Sequence, residues 1–178
     1  MNDNKYIFQS SRLGFRTWDL SDLDKLARMN ADAEVMRYFP ATQSREQSRE
    51  FILKMQQHHA VHGFCYFAVV ELESDEFVGF IGACHQDFEA PFTPCVDIGW
   101  RFLTPFWGKG YAQEGAKAVL DFLSMFHLDS IYAVAPELNL PSIKVMERIG
   151  MTRIGTFHHP ALINTQLSSC VYFLKSMK

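Results

Sequence analysis

Between residues 107 and 112 the chain reads WGKGYA, two glycines flanking a lysine just before an apolar helical pattern. Gly108 and Gly110 carry no Cβ, so the backbone there can turn tightly and come close to a ligand. The helix that follows begins with N–H groups that have no partner inside it. Those donors and the positive end of the helix dipole suit an anionic group, above all a phosphate. Two nucleotide signatures fail. A Walker A loop needs GxxxxGK[ST], but Lys109 is followed by Gly110 and no second glycine stands at the required offset. The dinucleotide fingerprint GxGxxG/A finds Gln113 at its third small position, and no βαβ unit opens the chain.

Other reactive side chains carry weaker signals. Cys65, Cys84, Cys95 and Cys170 show no CxxC spacing and lie mostly in strand-like apolar runs, so they read as buried reduced thiols without a zinc signature. His85 closes an apolar strand pattern and reads as a hydrogen-bonded structural histidine or a base. His158 and His159 fall in the connection before the last strand.

The elements that must position the loop follow from periodicity. Residues 12–18 (RLGFRTW) alternate as a first strand. Ser21 and Asp24 suggest a capping box ahead of a helix with Leu23, Leu26 and Ala27 on one stripe. Residues 34–39 (EVMRYF) predict a short helix stopped by Pro40. Ser44 and Gln47 form a better capping box for a helix through Phe51, Ile52 and Met55 to Gly63. Strands are expected at 64–72, 77–85 and 96–103, with Gly99 marking a bulge or a close backbone approach. Ala112, Ala116, Val119, Leu120 and Leu123 make one buried helical face. A strand at 130–135, a helix at 139–149 ended by Gly150, and strands at 152–157 and 170–174 complete the pattern. The order is α+β: an antiparallel meander followed by a βαβ-like crossover.

Composition narrows the class. The 178 residues suit one domain over 1–178, and 48% hydrophobic content supplies a sizeable core. A net charge of -3 argues against a general nucleic-acid binder. The polar N-terminus and the absence of an apolar run of about 18 residues point to a soluble cytoplasmic protein with no membrane partner.

The motif WGKGYA resembles the acyl-CoA pyrophosphate loop of the GNAT N-acetyltransferase superfamily, [QR]xxGx[GA], with Gly110 and Ala112 at its small positions. Trp107 in place of Gln or Arg resembles the branch related to the ribosomal-protein acetyltransferases RimJ and RimL. Residues 12–18, 34–40, 98–103, 155–160 and 171–174 are similar to further segments of that branch, and NLPSIKVMERIGM at 139–151 is similar to the family's NxxSxxVxxKxGF/M segment.

The resemblance implies a GNAT fold: a mostly antiparallel twisted sheet of six to seven strands, flanked by helices and splayed open as an acyl-CoA slot. It implies transfer of an acetyl group from acetyl-CoA, by direct attack in a ternary complex, to a primary amine on a protein N-terminus or a small molecule. A non-catalytic acyl-CoA sensor is the alternative. Trp107, Gly108, Lys109, Gly110, Tyr111 and Ala112 would hold the pyrophosphate, and the main chain near Phe102 and Leu103 the pantetheine arm, beside a family bulge. Asn139 and Ser142 would meet the arm and the thioester sulfur, unless they only cap the helix and fill its first turn. Asp97 is the base candidate, one carbon shorter than the branch's usual Glu. No metal is implied, and a monomer or homodimer is expected. The acceptor is expected against the N-terminal helices and the loops at 86–95 and 158–168, with Phe88, Phe92 and Phe157 as an aromatic slot or ordinary packing. Filling the loop with Gly110→Trp should abolish acetyl-CoA binding in isothermal titration calorimetry; tight binding by that variant would put the donor elsewhere.

Overall fold

A computed structural model describes residues 5–178. Its centre is one eight-stranded sheet in the order β1-β2-β3-β4-β5-β6-β8-β7. The strands are β1 (Phe8–Gln9), β2 (Leu13–Arg16), β3 (Tyr66–Glu71), β4 (Phe77–Gln86), β5 (Cys95–Phe102), β6 (Ser130–Pro136), β7 (Thr152–His158) and β8 (Ser169–Ser176). Every neighbouring pair is antiparallel except β5 and β6. The helices are α1 (Leu23–Ala31), α2 (Arg45–His62), α3 (Tyr111–Leu123) and α4 (Leu140–Arg148).

Both faces of the central strands are covered, which explains their unbroken apolar runs. On β4, Phe80 meets Phe51 of α2 at 5.0 Å between ring centroids. The next residue, Ile81, points to the other face. There α3 approaches so closely that a Cβ on Gly115 would stand 3.3 Å from Ile81. Phe67 on β3 is fully buried, edge-on to Phe8 and Phe122 at 5.3 and 5.7 Å. Cys65, Cys84 and Cys170 are buried free thiols, and burial pushes Cys84 and Cys170 up to about 11. Among the described residues no helix is long and apolar enough to cross a membrane.

Three local readings need correction. The first cap is Asp19 with Asp22, not Ser21 with Asp24; they close a 3-10 turn, and α1 starts directly after it. Asp22 is drawn inward by two bonds from Arg16, at 2.6 and 2.7 Å, which outweigh the Ser21 signal. Residues 34–39 form successive turns rather than a helix. Asp32 binds the N–H of Glu34 with its side chain and that of Met36 with its carbonyl, too few bonds to repay helix nucleation. The sheet has eight strands, not six or seven; the extra one, β1, is two residues long, below any readable period. Its Phe8 ring stacks between Phe15 and Phe122 at 4.3 and 4.4 Å. The capping box of Ser44 and Gln47 and the left-handed ends at Gly63 and Gly150 stand as read.

Truncating Phe67 to Ala should cost about 3–5 kcal/mol, read from the urea midpoint, because the rings of Phe8 and Phe122 lose their shared neighbour.

Candidate functional site

Strands β5 and β6 share a single bridge, Asp97 with Tyr132, and then part. No bulge on β5 causes this: its register with β4 runs unbroken from Gly79 opposite Phe102 to Gln86 opposite Cys95. The register shifts lie elsewhere: Val78 of β4 is an extra residue opposite Val69 and Val70 of β3, and a second shift falls at Arg153 to Gly155 in the β7–β8 pair. Gly99 instead accommodates a ring, since a Cβ there would stand 3.2 Å from Tyr66. Because Leu103 N–H donates to Val78 at 3.0 Å, alternation turns the backbone of Gly99 and Arg101 toward β4 and that of Trp100 and Phe102 toward the gap.

Into the mouth of the gap points the start of α3. Gly108 and Gly110 have φ of 74° and 81°, left-handed values that suit glycine. Gly110 is the N-cap and offers no side-chain cap to the first turn, so the first N–H groups of α3 remain donors for an anion. Glu114 in that turn accepts from Ser10 at 2.7 Å and from Arg12 Nε at 2.7 Å, while Arg12 also donates to the Lys109 carbonyl at 3.0 Å. Burial pushes Glu114 up, but these bonds win and hold its carboxyl below the ordinary value. The loop is thereby tied to the N-terminal strands.

Two cavities meet in the gap. One, of about 440 Å³, is lined by Phe102, Trp107, Gly108, Gly110, Tyr111, Ala112, Asn139 and Ser142, with Arg37 and Arg148. The other, of about 390 Å³, holds Asp97, Tyr66, Gln86, Phe88 and His159. Asn139, Ser142, Trp100 and Arg101 border both. Leu103 and Lys109 are not brought into the first cavity. The Leu103 N–H is engaged by Val78, and Lys109 Nζ lies 3.9 Å from Glu71 and 4.8 Å from the Phe106 ring centre. The Phe102 carbonyl accepts from the Trp107 indole at 2.8 Å. Asn139 caps α4, accepting from Ser142 N–H at 3.3 Å, which leaves its amide N–H groups free to act as donors.

In the second cavity the Asp97 carboxyl accepts from the Tyr66 hydroxyl and from Gln86 Nε2, the latter at 3.1 Å. Burial raises it to about 6, against the lowering effect of those two bonds. Four residues on along β5, Arg101 donates to Asn30 at 2.6 Å, and its guanidinium lies 4.0 Å from the Phe39 ring centre. Its Nε is buried without a hydrogen-bond partner, and burial lowers the group to about 10, so it stays cationic at neutral pH. The segments at 38–40, 86–88 and 159–162 all reach this cavity. Phe88 lines it, whereas Phe92 stacks on Tyr132 and Tyr172 at 5.1 and 4.5 Å.

The family model for the acetyltransferase (GNAT) domain matches residues 12–152. The chain belongs to the GNAT acetyltransferase family. The N-acetyltransferase YnaD of Bacillus subtilis, itself uncharacterized, is 30% identical over 150 residues, 83% of this chain and 84% of YnaD. A GNAT-family acetyltransferase structure from Bacillus anthracis superposes with a TM-score of 0.78 at 28% identity, covering 95% of this chain and 97% of that one. A Salmonella typhimurium acetyltransferase that modifies the N-terminal serine of ribosomal protein L7/L12 shares the fold, with a TM-score of 0.77 at 16% identity over 95% and 97% of the chains. As a GNAT acetyltransferase this chain uses acetyl-CoA, and the open first turn of α3 has the donors such a phosphate-bearing substrate needs.

Sequence reading missed Tyr66, Gln86 and Arg101. Alternation on 64–72 and 96–103 marks which face each residue takes, but only strand register brings Tyr66 and Gln86 to Asp97. Between about pH 4 and 6 the folded protein keeps the Asp97 proton that the unfolded chain, with a carboxyl near 3.9, releases. The folded state then binds more protons, so this group's contribution to stability falls as pH rises through that window, by about 3 kcal/mol in all. Urea denaturation of Asp97→Asn at pH 4 and pH 7 should show that slope removed.

Proposed function

We propose that the chain acetylates an α-amine, on an amino acid or a peptide N-terminus, by direct attack on acetyl-CoA in a ternary complex. The observation that carries this reading is the meeting of two cavities at Asn139 and Ser142, with a carboxylate on the far side. In it the pyrophosphate lies on the Gly108–Ala112 main chain, flanked by Arg37 and Arg148, and the pantetheine arm runs along the gap-facing backbone of Trp100 and Phe102. The Asn139 amide donates to the arm. This would fix the thioester carbon at the mouth of the acceptor cavity, where alignment supplies much of the rate.

The amine must lose a proton as its nitrogen bonds the carbonyl carbon. Asp97, ionised above about pH 6, accepts that proton through the Tyr66 hydroxyl or a water, since its own reach is short. A gap-facing N–H of β5 stabilises the oxyanion. The C–S bond then breaks, and the thiolate, with a pKa near 8.5 as a free thiol, leaves with a hydrogen bond from Ser142. An α-amine, at about 8, lies closer to Asp97 than a lysine amine at about 10.4, which favours the former. The acceptor cavity contains one carboxylate against one buried guanidinium, so it offers little to a polycation. Arg101 Nε can donate to a carbonyl or carboxylate next to the amine. The aromatic Trp107 at the loop supports the RimJ/RimL-like branch.

Thiol release measured against a panel of peptides, amino acids and polyamines, with mass spectrometry of the products, tests the reading. We expect acetylated α-amines and a kcat/KM that rises with pH as the free α-amine deprotonates near 8, with a further limb through about 6 from Asp97. In Asp97→Asn that limb should vanish, with a loss of about 10²–10⁴-fold. Binding of acetyl-CoA without turnover of any amine would leave a non-catalytic sensor.

A further inference from the structure

A second group of chemistry-bearing side chains lies away from the acetyl-transfer gap. His58 and His62 are one turn apart on α2, so they share a face. The end of β4 brings His85 against them. One ring nitrogen from each of the three lies within 4.8 Å of the other two. The ring centroids are separated by 4.5 Å for His58 and His62, 4.3 Å for His62 and His85, and 5.3 Å for His58 and His85.

Hydrogen bonding orients the most enclosed of the three. His58 Nδ1 lies 2.7 Å from the Phe64 carbonyl oxygen, which has no proton to give, so this nitrogen carries the hydrogen and donates. The lone pair of a neutral His58 is therefore on Nε2, and a second-shell carbonyl of this kind is what commonly fixes a metal-binding imidazole. Nε2 lies 3.2 Å from His85 Nδ1 and accepts from the His85 backbone N–H at 3.1 Å, a bond that an ion on Nε2 would displace. Of the three imidazoles, those of His58 and His85 lie nearest the Phe64 ring. The Phe64 ring, 5.4 Å from both of those rings, forms an apolar floor, while His62 and His85 are exposed and leave an entry from solvent.

We propose that His58, His62 and His85 form a site for a borderline divalent transition cation of the Zn²⁺ or Ni²⁺ class. Three imidazole nitrogens suit such ions, and the absence of a carboxylate from the trio disfavours Mg²⁺ and Ca²⁺. A tetrahedral ion with bonds of about 2.0–2.1 Å sets its ligands roughly 3.3 Å apart. The present spacings reach that by side-chain rotation, with solvent taking the fourth position. The ion clamps the C-terminal turn of α2 to the end of β4. On β4 the neighbour of His85 is Gln86, which turns to the opposite face and donates to Asp97 and Tyr66. The site thus braces the strand end that supports the acceptor cavity, and stands independently of which amine that cavity takes.

The test uses tag-free full-length protein stripped with a chelator. Titration with Zn²⁺ in a calorimeter should show one equivalent bound at micromolar or tighter affinity, and Co²⁺ in its place should give the visible absorption of a tetrahedral centre. His62→Ala and His85→Ala, both at exposed positions, should each weaken binding about tenfold or more, and the double variant should lose the Co²⁺ spectrum. Circular dichroism checks that the variants fold. His62→Ala keeps the helix with a stronger helix former and so isolates the ligand effect. Absence of saturable binding, or equal affinity and an unchanged Co²⁺ spectrum in the double variant, would overturn the proposal.

Discussion

The lone parallel contact in the sheet, between Asp97 on β5 and Tyr132 on β6, is the constraint on which the site depends. A parallel pair must be joined by a crossover, and α3 is that crossover. The same connection that makes the pair parallel therefore sets a helix N-terminus at the end of β5. With one bridge holding them, β5 and β6 diverge, and the gap-facing backbone of Trp100 and Phe102 is left without a strand partner. An interior sheet edge of this kind has unmet hydrogen-bonding capacity, which an extended, amide-bearing substrate can satisfy. The phosphate loop and the strand edge are two consequences of a single topological choice.

Charge is arranged along β5 with the same economy. Asp97 and Arg101 are four residues apart and so share a face. Each is half-buried, and loss of solvent acts on them in opposite directions in pKa but with one effect: it disfavours the charged form of both. Asp97 is brought to about 6, where it can exchange a proton near neutrality, while Arg101 at about 10 keeps its charge. Arg101 is held by Asn30, which in turn donates to Ser48 at 3.0 Å, so α1 and α2 reach the site through a buried polar chain. The N-terminal helices are thus coupled physically to the cavity that holds Asp97, which Phe51 of α2 also lines.

Much of this was legible locally. The capping box of Ser44 with Gln47, the glycine turn before α3 and the seven longer strands are each written within a few neighbouring residues. Where local signals competed, bonds to nearby acidic residues decided: Arg16 pulled the first cap to Asp19 and Asp22, and Asp32 turned 34–39 into successive turns. The two-residue strand β1 was invisible because two residues have no period. Lys109, expected by position to add charge beside the loop, has its Nζ 3.9 Å from Glu71, a partner far away in the chain.

The sequence alone determined most of the elements and the glycine turn before α3, because periodicity, capping and the need for glycine at a left-handed turn are short-range properties; the family was legible as a resemblance of whole motifs. Only the tertiary structure decided what those residues become together. Asp97 has its raised pKa from enclosure, and its hydrogen bond from Tyr66, 31 residues away in the chain. Asn139 and Ser142 acquire their meaning from lying where two cavities join. His58, His62 and His85 form a trio only because β4 ends beside the last turns of α2. Register and helix placement are set by the burial of the whole core, and no short stretch of chain contains that information.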